Sequence, residues 1–179
     1  ITDRSLAYIP EERMRDGMIK NFTVAENMIL REHHKQPYSR SGILNLREIA
    51  SHSHELIKKF RVKTPSHETL AKNLSGGNIQ KVVIAREFSR NPRVIVAAQP
   101  TRGLDIGATE YVREQLLEQR RKGVAVMLIS EDLDEILALS DRIAVLYEGQ
   151  IMDIVPREHA TPEKLGLLMA GVHPEESPA

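Results

Sequence analysis

Residues 74–87 place a serine and two glycines directly before a run of apolar residues with helical spacing. Ser75 is a plausible N-cap, and Gly76 and Gly77 lack a Cβ, so another surface can approach the backbone there. The first amides of a helix have no internal partner, and the helix dipole is positive at that end. The stretch therefore predicts an anion site. An ordinary capped helix after a glycine loop is the alternative that fits the same residues.

A second motif follows this helix. The apolar run at residues 93–98 is typical of an interior parallel strand, and residues 99–105 follow as Gln-Pro-Thr-Arg-Gly-Leu-Asp. Leu74-Ser75-Gly76-Gly77-Asn78-x-Gln80-Lys81 resembles the signature motif of ABC-type ATPases, and residues 94–105 resemble their Walker B strand and D-loop. Motif order and spacing fit over most of the chain. The similarity is to the second ATPase half of importers for simple sugars and nucleosides.

This resemblance implies an α/β fold, a partial RecA-like nucleotide-binding domain of the P-loop NTPase class with a helical subdomain. The expected parts are a core strand with the Q-loop region at 1–12, a helical subdomain with the signature at 13–90, a RecA-like core at 91–155 and a C-terminal tail at 156–179. The resemblance also implies that the helical part, from about Thr23 to Arg90, docks on a membrane subunit.

The pattern of apolar residues independently predicts strands that alternate with helices, which favours an α/β sheet. Strands are expected at 5–9, 93–98, 124–130 and 142–147, the last turning at residues 148–149 into a hairpin partner at 150–154. Helices are expected at 46–62, 107–121, 132–139 and 162–170, and Thr23 with Glu26 forms a capping box for another. Residues 11–17 and 38–46 are expected to be loops, with Arg13 and Arg15 as surface charges.

Composition limits the classes of function. The 179 residues suffice for one domain with a core, and the formal net charge of +0 provides no field that attracts nucleic acid or anionic membrane. Without cysteine there are no disulfides, thiolate catalysis or zinc–thiolate sites. No apolar run is long enough to span a bilayer. The histidines at 33/34 and 52/54 do not share a helix face, so we expect no metal site.

The phosphate cradle of such ATPases, G-x-x-x-x-G-K-S/T, does not occur in the sequence. The resemblance places it upstream of the strand at Leu6, on a strand between those at 124–130 and 142–147. The chain begins at Ile1 rather than Met, so we expect a fragment of a longer protein.

Three positions where the family has catalytic residues differ in this chain. Ala98 and Gln99 stand where the Walker B strand has Asp-Glu, and Glu131 stands where the family has its switch histidine. Alanine has no oxygen to hold a magnesium-bound water, and a glutamine amide cannot accept a proton as a carboxylate does. An anionic side chain beside a γ-phosphate is repulsive. We therefore expect no catalytic residue and no metal ligand within this half.

The signature, in contrast, is retained. In the family, two ATPase halves meet head to tail, so the resemblance implies that this signature contacts an ATP held by the partner's cradle. The residues expected to do so are Ser75, Gly76, Gly77, Asn78 and Gln80. Asp105 of the D-loop is expected to link the two sites. Glu11 occupies the place of the Q-loop glutamine, which contacts metal and nucleotide and senses the membrane partner.

The expected function is that of a fragment of an ABC importer's ATP-binding subunit. ATP and Mg²⁺ are expected in the intact assembly and not in the fragment alone, which should be inactive. The expected partners are a second ATPase half, permease subunits at the cytoplasmic face of the membrane and, indirectly, a solute-binding protein. A non-catalytic scaffold that only docks the permease is the alternative. An ABC-type ATPase that acts on DNA or ribosomes fits less well, because the chain has no basic run.

Overall fold

The computed structural model of the chain describes residues 5–172. The chain forms two compact units, Ile1–Ile129 and Ser130–Ala179, and each is described by itself. Over residues 5–172, no helix combines the length and the apolar character that crossing a bilayer requires.

Over the residues that the structure describes, the first unit contains five strands and four α-helices. The strands are β1 (Leu6–Ile9), β2 (Ser39–Arg40), β3 (Ile43–Leu44), β4 (Val94–Ala98) and β5 (Ala125–Ile129). The helices are α1 (Val24–Ile29), α2 (Leu46–Lys59), α3 (Gly76–Phe88) and α4 (Ile106–Arg121). The second unit contains α5 (Leu133–Leu139), β6 (Arg142–Tyr147), β7 (Gln150–Pro156) and α6 (Pro162–Met169).

A parallel sheet in the order β1-β4-β5 organises the first unit. Side chains alternate along each strand, so one face carries fully buried residues such as Ile9 and Ile95. The opposite face carries Tyr8, Val94 and Met127, which are exposed. Parallel sheets are normally covered on both faces, so this apolar face has the character of a surface that another element covers.

The strands β5 and β6 each have one partner within residues 5–172: β5 pairs with β4, and β6 pairs with β7. A further strand between them, which the resemblance implies, stays a prediction.

Helix α3 is the centre of the helical part of this unit. It packs against α1, α2 and β1, and Val82, Val83 and Ile84 along it are fully buried. Its first turn lies nearer the surface than its middle, since Ser75 is exposed. The expected capping box is confirmed at α1, where the Glu26 amide donates to Thr23 Oγ1 and the Glu26 carboxylate accepts from the Thr23 amide.

Two segments that were expected to be loops have regular structure. Strands β2 and β3 form an antiparallel hairpin, because Ser41 and Gly42 adopt φ values of 51° and 80°, as a two-residue hairpin turn requires. Residues Arg13–Gly17 form one turn of π-helix. Helix α2 ends at Lys59 rather than near residue 62, because the chain leaves the helix where Arg61 takes a φ of 53°.

In the second unit, the expected hairpin is confirmed. Strands β6 and β7 pair antiparallel through a turn in which Glu148 and Gly149 have φ values of 47° and 81°. Helix α6 packs on β6 and contributes Leu165 and Leu168 to a core that also contains Val145. The segment from residue 156 to 172 is therefore packed structure, whereas residues 173–179 of the expected tail lie outside the described residues.

Candidate functional site

The signature segment, residues 74–81, places Ser75 at the N-cap position of α3, as expected. The Ser75 side chain does not make the usual capping bond, because it accepts no backbone amide of the first turn. Its Oγ instead accepts a hydrogen bond of 2.9 Å from Asn78 Nδ2. A hydroxyl group can accept and donate at once, so the Ser75 hydrogen is left for an acceptor outside the helix.

The Asn78 side chain makes a second hydrogen bond, through its oxygen. Its Oδ1 accepts the backbone amide of Lys63 at 2.7 Å, which ties the helix start to the segment after α2. Because both ends of the amide group are used, the orientation of its Nδ2 is fixed. Asn78 therefore orients the Ser75 hydroxyl.

Packing against neighbouring elements also explains why glycine occupies positions 76 and 77, in addition to the expected approach of a ligand. A Cβ on Gly77 would lie 3.1 Å from Ala108 Cβ, where α4 begins. A Cβ on Gly76 would lie 3.1 Å from Arg13 Nη2. Because these two residues lack a Cβ, α4 and the turn at Arg13 can pack closely against the start of α3.

The D-loop segment, residues 99–105, lies beside the signature segment. Asp105 caps α4, since its Oδ1 accepts the Ala108 amide at 2.9 Å. Gln80 is only 1% exposed, and its Nε2 donates to the Pro100 carbonyl at 2.7 Å. In this structure Gln80 faces the D-loop segment, whereas Ser75 lies at the surface.

The turn at residues 11–13 also reaches the D-loop segment. Glu11 forms an ion pair with the Arg102 side chain. Arg13 donates from Nη1 to the Arg102 carbonyl at 2.7 Å and from Nη2 to the Gly103 carbonyl at 3.4 Å. Arg13 lies at the surface, as expected, but it is half-buried and bonded to two backbone carbonyls. Arg15 is a simple surface charge, because its exposed side chain pairs with the neighbouring Asp16.

The three positions that the resemblance predicts to be substituted catalytic positions are divided between the two units. Ala98 ends β4 opposite Ile129, and the Gln99 amide donates to the Ile129 carbonyl at 2.7 Å. Gln99 has a φ of 46°, which is uncommon for a residue other than glycine and marks a sharp turn after the strand. Glu131 belongs to the second unit, between β5 and α5. No three His, Asp or Glu side chains form a potential metal site in the part of the chain that the structure describes.

Lys81, the last residue of the signature segment, has a packing role. Its Nζ lies 4.8 Å from the centre of the Tyr111 ring and donates to the Arg61 carbonyl at 3.2 Å. The Tyr111 hydroxyl donates to the Phe60 carbonyl at 2.9 Å. Burial lowers the pKa of Lys81 and raises the pKa of Tyr111 to about 12. These contacts join α3 and α4 to the end of α2.

A buried carboxylate that the sequence did not single out anchors the other end of α3. Glu87 is 1% exposed and accepts hydrogen bonds from Arg31 at 2.7 Å and from Arg86 at 2.9 Å. Longer contacts of 3.4 Å come from Arg90 and from the Tyr8 amide in β1. Arg86 also donates to the Gly17 carbonyl at 2.7 Å, so the turn at residues 13–17 is fixed to the same helix. Arg86 and Arg90 are neighbours of Glu87 in sequence, but Arg31 and Tyr8 are 56 and 79 positions away, so no local pattern indicates the whole cluster.

Comparison with known proteins decides the family. A family model described as "ABC transporter" matches residues 1–102, which is more than half of the chain. The chain belongs to the ABC transporter family.

The resemblance to importers of nucleosides and simple sugars is also confirmed. The chain is 48% identical to the nucleoside import ATP-binding protein NupA of Lactococcus lactis, over 96% of its own length. It is 46% identical to the guanosine import ATP-binding protein NupO of Bacillus subtilis, over 99% of its length.

This ABC transporter chain spans about a third of those relatives, 34% and 35% of their lengths. The expected fold class is confirmed by solved structures. One is a dimeric ATP-binding cassette in a post-hydrolysis state bound to ADP and Pi. It matches with a TM-score of 0.69 and 25% identity, over 86% of this chain and 63% of that chain.

Proposed function

We propose that this chain is part of the ATP-binding subunit of an ABC importer for nucleosides or simple sugars. Support comes from the two relatives named above, which are described as nucleoside and guanosine import ATP-binding proteins. The subunit would lie at the cytoplasmic face of the membrane and dock on permease subunits, with a solute-binding protein as an indirect partner. Its second ATPase half would come from the same parent chain or from a dimer mate.

Within that subunit, the signature segment would contact the ATP of the other half. The observation that carries this proposal is the orientation of Ser75: its oxygen is held by Asn78, its hydrogen is free for an external acceptor, and it lies exposed at the start of a helix. The unpaired amides of the first turn add partial positive charge beside it. A hydroxyl donor and helix amides on one surface suit the terminal phosphate of a nucleotide.

The chain's own site would not hydrolyse ATP. In such ATPases, Mg²⁺ neutralises phosphate charge and a carboxylate orients the attacking water. The side chains at the end of β4 do not fit this metal, because that of Ala98 has no oxygen and that of Gln99 is a neutral amide without the charge of a carboxylate. Glu131 would add negative charge where the family has a histidine. This half would therefore contribute to hydrolysis of the partner's ATP without hydrolysing an ATP of its own.

The decisive experiment is Ser75→Arg in the intact subunit. The larger side chain fills the position of the terminal phosphate and removes the hydroxyl donor. We expect ATP hydrolysis to fall by about 100-fold or more, the range measured when one transition-state donor is lost. Nucleotide binding to the partner's cradle should persist. Gln150→Arg is the control, because Gln150 is exposed at the start of β7 and lies outside residues 23–90, which are expected to dock on the permease.

Unchanged hydrolysis in Ser75→Arg would refute the contact in trans and would favour the scaffold alternative, in which this half only docks the permease. A second measurement concerns the 179-residue chain alone, which lacks a cradle motif. We expect neither tight ATP binding nor hydrolysis by it. Micromolar binding in a calorimetric titration would contradict that expectation.

A further inference from the structure

The D-loop segment makes a compact turn that leaves two successive backbone carbonyls without a backbone donor from residues 5–172. Within it, the Arg102 amide bonds to the Gln99 carbonyl and the Leu104 amide to the Thr101 carbonyl, both at 3.1 Å. Gly103 adopts a φ of 65°, which favours glycine. The successive carbonyls of Arg102 and Gly103 accept no backbone amide among the described residues. Both residues are exposed, so these carbonyls are open to water and to side-chain donors.

Arg13 supplies both donors. One guanidinium group bridges the two carbonyls, at 2.7 Å from Nη1 to Arg102 and at 3.4 Å from Nη2 to Gly103. Within residues 5–172, Arg13 has no carboxylate partner, so its charge is directed at these two carbonyl dipoles. The planar fork of arginine fits two acceptors at once, whereas a lysine ammonium offers donors without a fixed geometry.

The D-loop segment is also bonded to helix α3. Gln80 donates to Pro100 at the start of the turn, and Arg13 Nη2 would lie 3.1 Å from a Cβ on Gly76. The Arg13 side chain thus occupies the space between the start of α3 and the turn at Gly103. Residues 11–13, the signature segment and the D-loop segment form one connected cluster, although they are far apart in sequence.

We propose that Arg13 is a positioning residue that sets the D-loop turn, and through it Asp105, relative to the signature segment. The expected effect of this positioning on ATP hydrolysis rests on the proposed function. The ion pair between Glu11 and Arg102 joins two exposed side chains, so it contributes little to holding the turn. The bonds from Arg13 also lie at the surface, but the Arg13 side chain is half-buried and bridges two successive backbone carbonyls, so it defines the position of the turn more closely. A displacement of residues 11–13 is then passed to the D-loop through the two carbonyls.

The test compares Arg13→Met and Arg13→Lys in the intact subunit. Methionine retains the apolar stem without donors, and lysine retains the charge without the fork. Arg15→Met is the matched control, because the Arg15 side chain is exposed and bonds to its neighbour Asp16 rather than to the D-loop segment. For Arg13→Met we expect kcat to fall about tenfold, the factor for one lost charge-assisted hydrogen bond, with KM for ATP within twofold of the parent. Arg13→Lys should recover part of kcat, and the control should change neither constant.

Hydrogen exchange without nucleotide gives an independent measurement. In Arg13→Met, amides of residues 101–105 should exchange faster, while those of α2 keep their rates. The proposal is overturned if these rates and kcat are both unchanged. It is also overturned if only KM rises, since that result would make Arg13 a nucleotide contact. If hydrolysis survives Ser75→Arg, the proposed function fails, but the exchange rates still decide whether Arg13 holds the turn.

Discussion

Replacing Glu87 by glutamine tests the buried charge cluster that anchors α3. The carboxylate is 1% exposed and accepts from Arg31 and Arg86 within 2.9 Å, with Arg90 at 3.4 Å. Glutamine keeps the size of the side chain but removes its charge. It also replaces one acceptor oxygen by an NH₂ group, which faces guanidinium donors rather than acceptors.

The expected cost follows from the burial of these groups. Removing one partner from a buried ionic cluster costs about 3–5 kcal/mol. The Arg31 side chain is 25% exposed, so water can partly solvate its charge when the carboxylate is removed. We therefore expect the lower limit, about 3 kcal/mol, a large part of the roughly 5–15 kcal/mol that stabilises a typical domain. A change of this size lowers the melting temperature of a chain of this length by about 6–12 °C.

Urea unfolding of the 179-residue chain, followed by circular dichroism, measures this free energy through the transition midpoint. Glu114→Gln is the matched control, because Glu114 lies exposed on α4. The control should stay within about 0.5 kcal/mol of the parent. If Glu87→Gln costs less than about 1 kcal/mol with an unchanged slope, the cluster does not stabilise the fold as argued.

Three further predictions concern α3 and α4. Gly77→Ala places a methyl group 3.1 Å from Ala108 Cβ, which is fixed to the backbone of α4 and cannot move alone, so the overlap should outweigh the gain in helix propensity and destabilise the chain by about 1 kcal/mol in urea unfolding. Asp105→Ala removes the N-cap of α4 and should cost about 1 kcal/mol in the same assay. The raised pKa of Tyr111, about 12 against an ordinary 10.0, makes its protonated form the stabilised one. Its contribution is complete below pH 10.0 and is lost as the pH rises to about 12, so Tyr111→Phe should flatten that decline.

Each of these predictions has a contrasting outcome. Gly166→Ala is the control for Gly77→Ala, because a Cβ on Gly166 meets no atom within 4 Å and alanine favours a helix. Equal stability changes for the two glycines would contradict the packing of α3 against α4. An unchanged stability of Asp105→Ala would show that the cap contributes nothing. An identical pH profile for Tyr111→Phe would show that another group causes the alkaline decline.

The regular elements with clear periodicity were predictable from the sequence. The strands β4, β5 and β6, the long helices α2 and α4 and the hairpin at Glu148 follow from apolar spacing and turn residues. The hairpin at residues 39–44 was missed, because strands of two residues are too short to show alternation. Its only local signal was Ser41-Gly42, and serine is a weak indicator of a turn that needs two positive φ values.

The site was predictable in position but not in side-chain detail. The serine and glycines before α3 marked the helix start, yet the bond from Asn78 to Ser75 depends on side-chain rotamers that the sequence does not encode locally. Arg13 and Arg15 looked alike as members of one charged run. They differ because the fold brings the Arg102 carbonyl, 89 positions away, next to Arg13 alone.

The most direct measurement is a structure of the intact subunit in its closed, ATP-bound state, with hydrolysis blocked in the half that carries the cradle. Our account predicts that Ser75 Oγ lies within hydrogen-bond distance, about 2.5–3.0 Å, of a terminal phosphate oxygen held by that half. It also predicts that the Asn78 bond to Ser75 persists. A closed state in which residues 74–78 face away from every nucleotide would contradict the account.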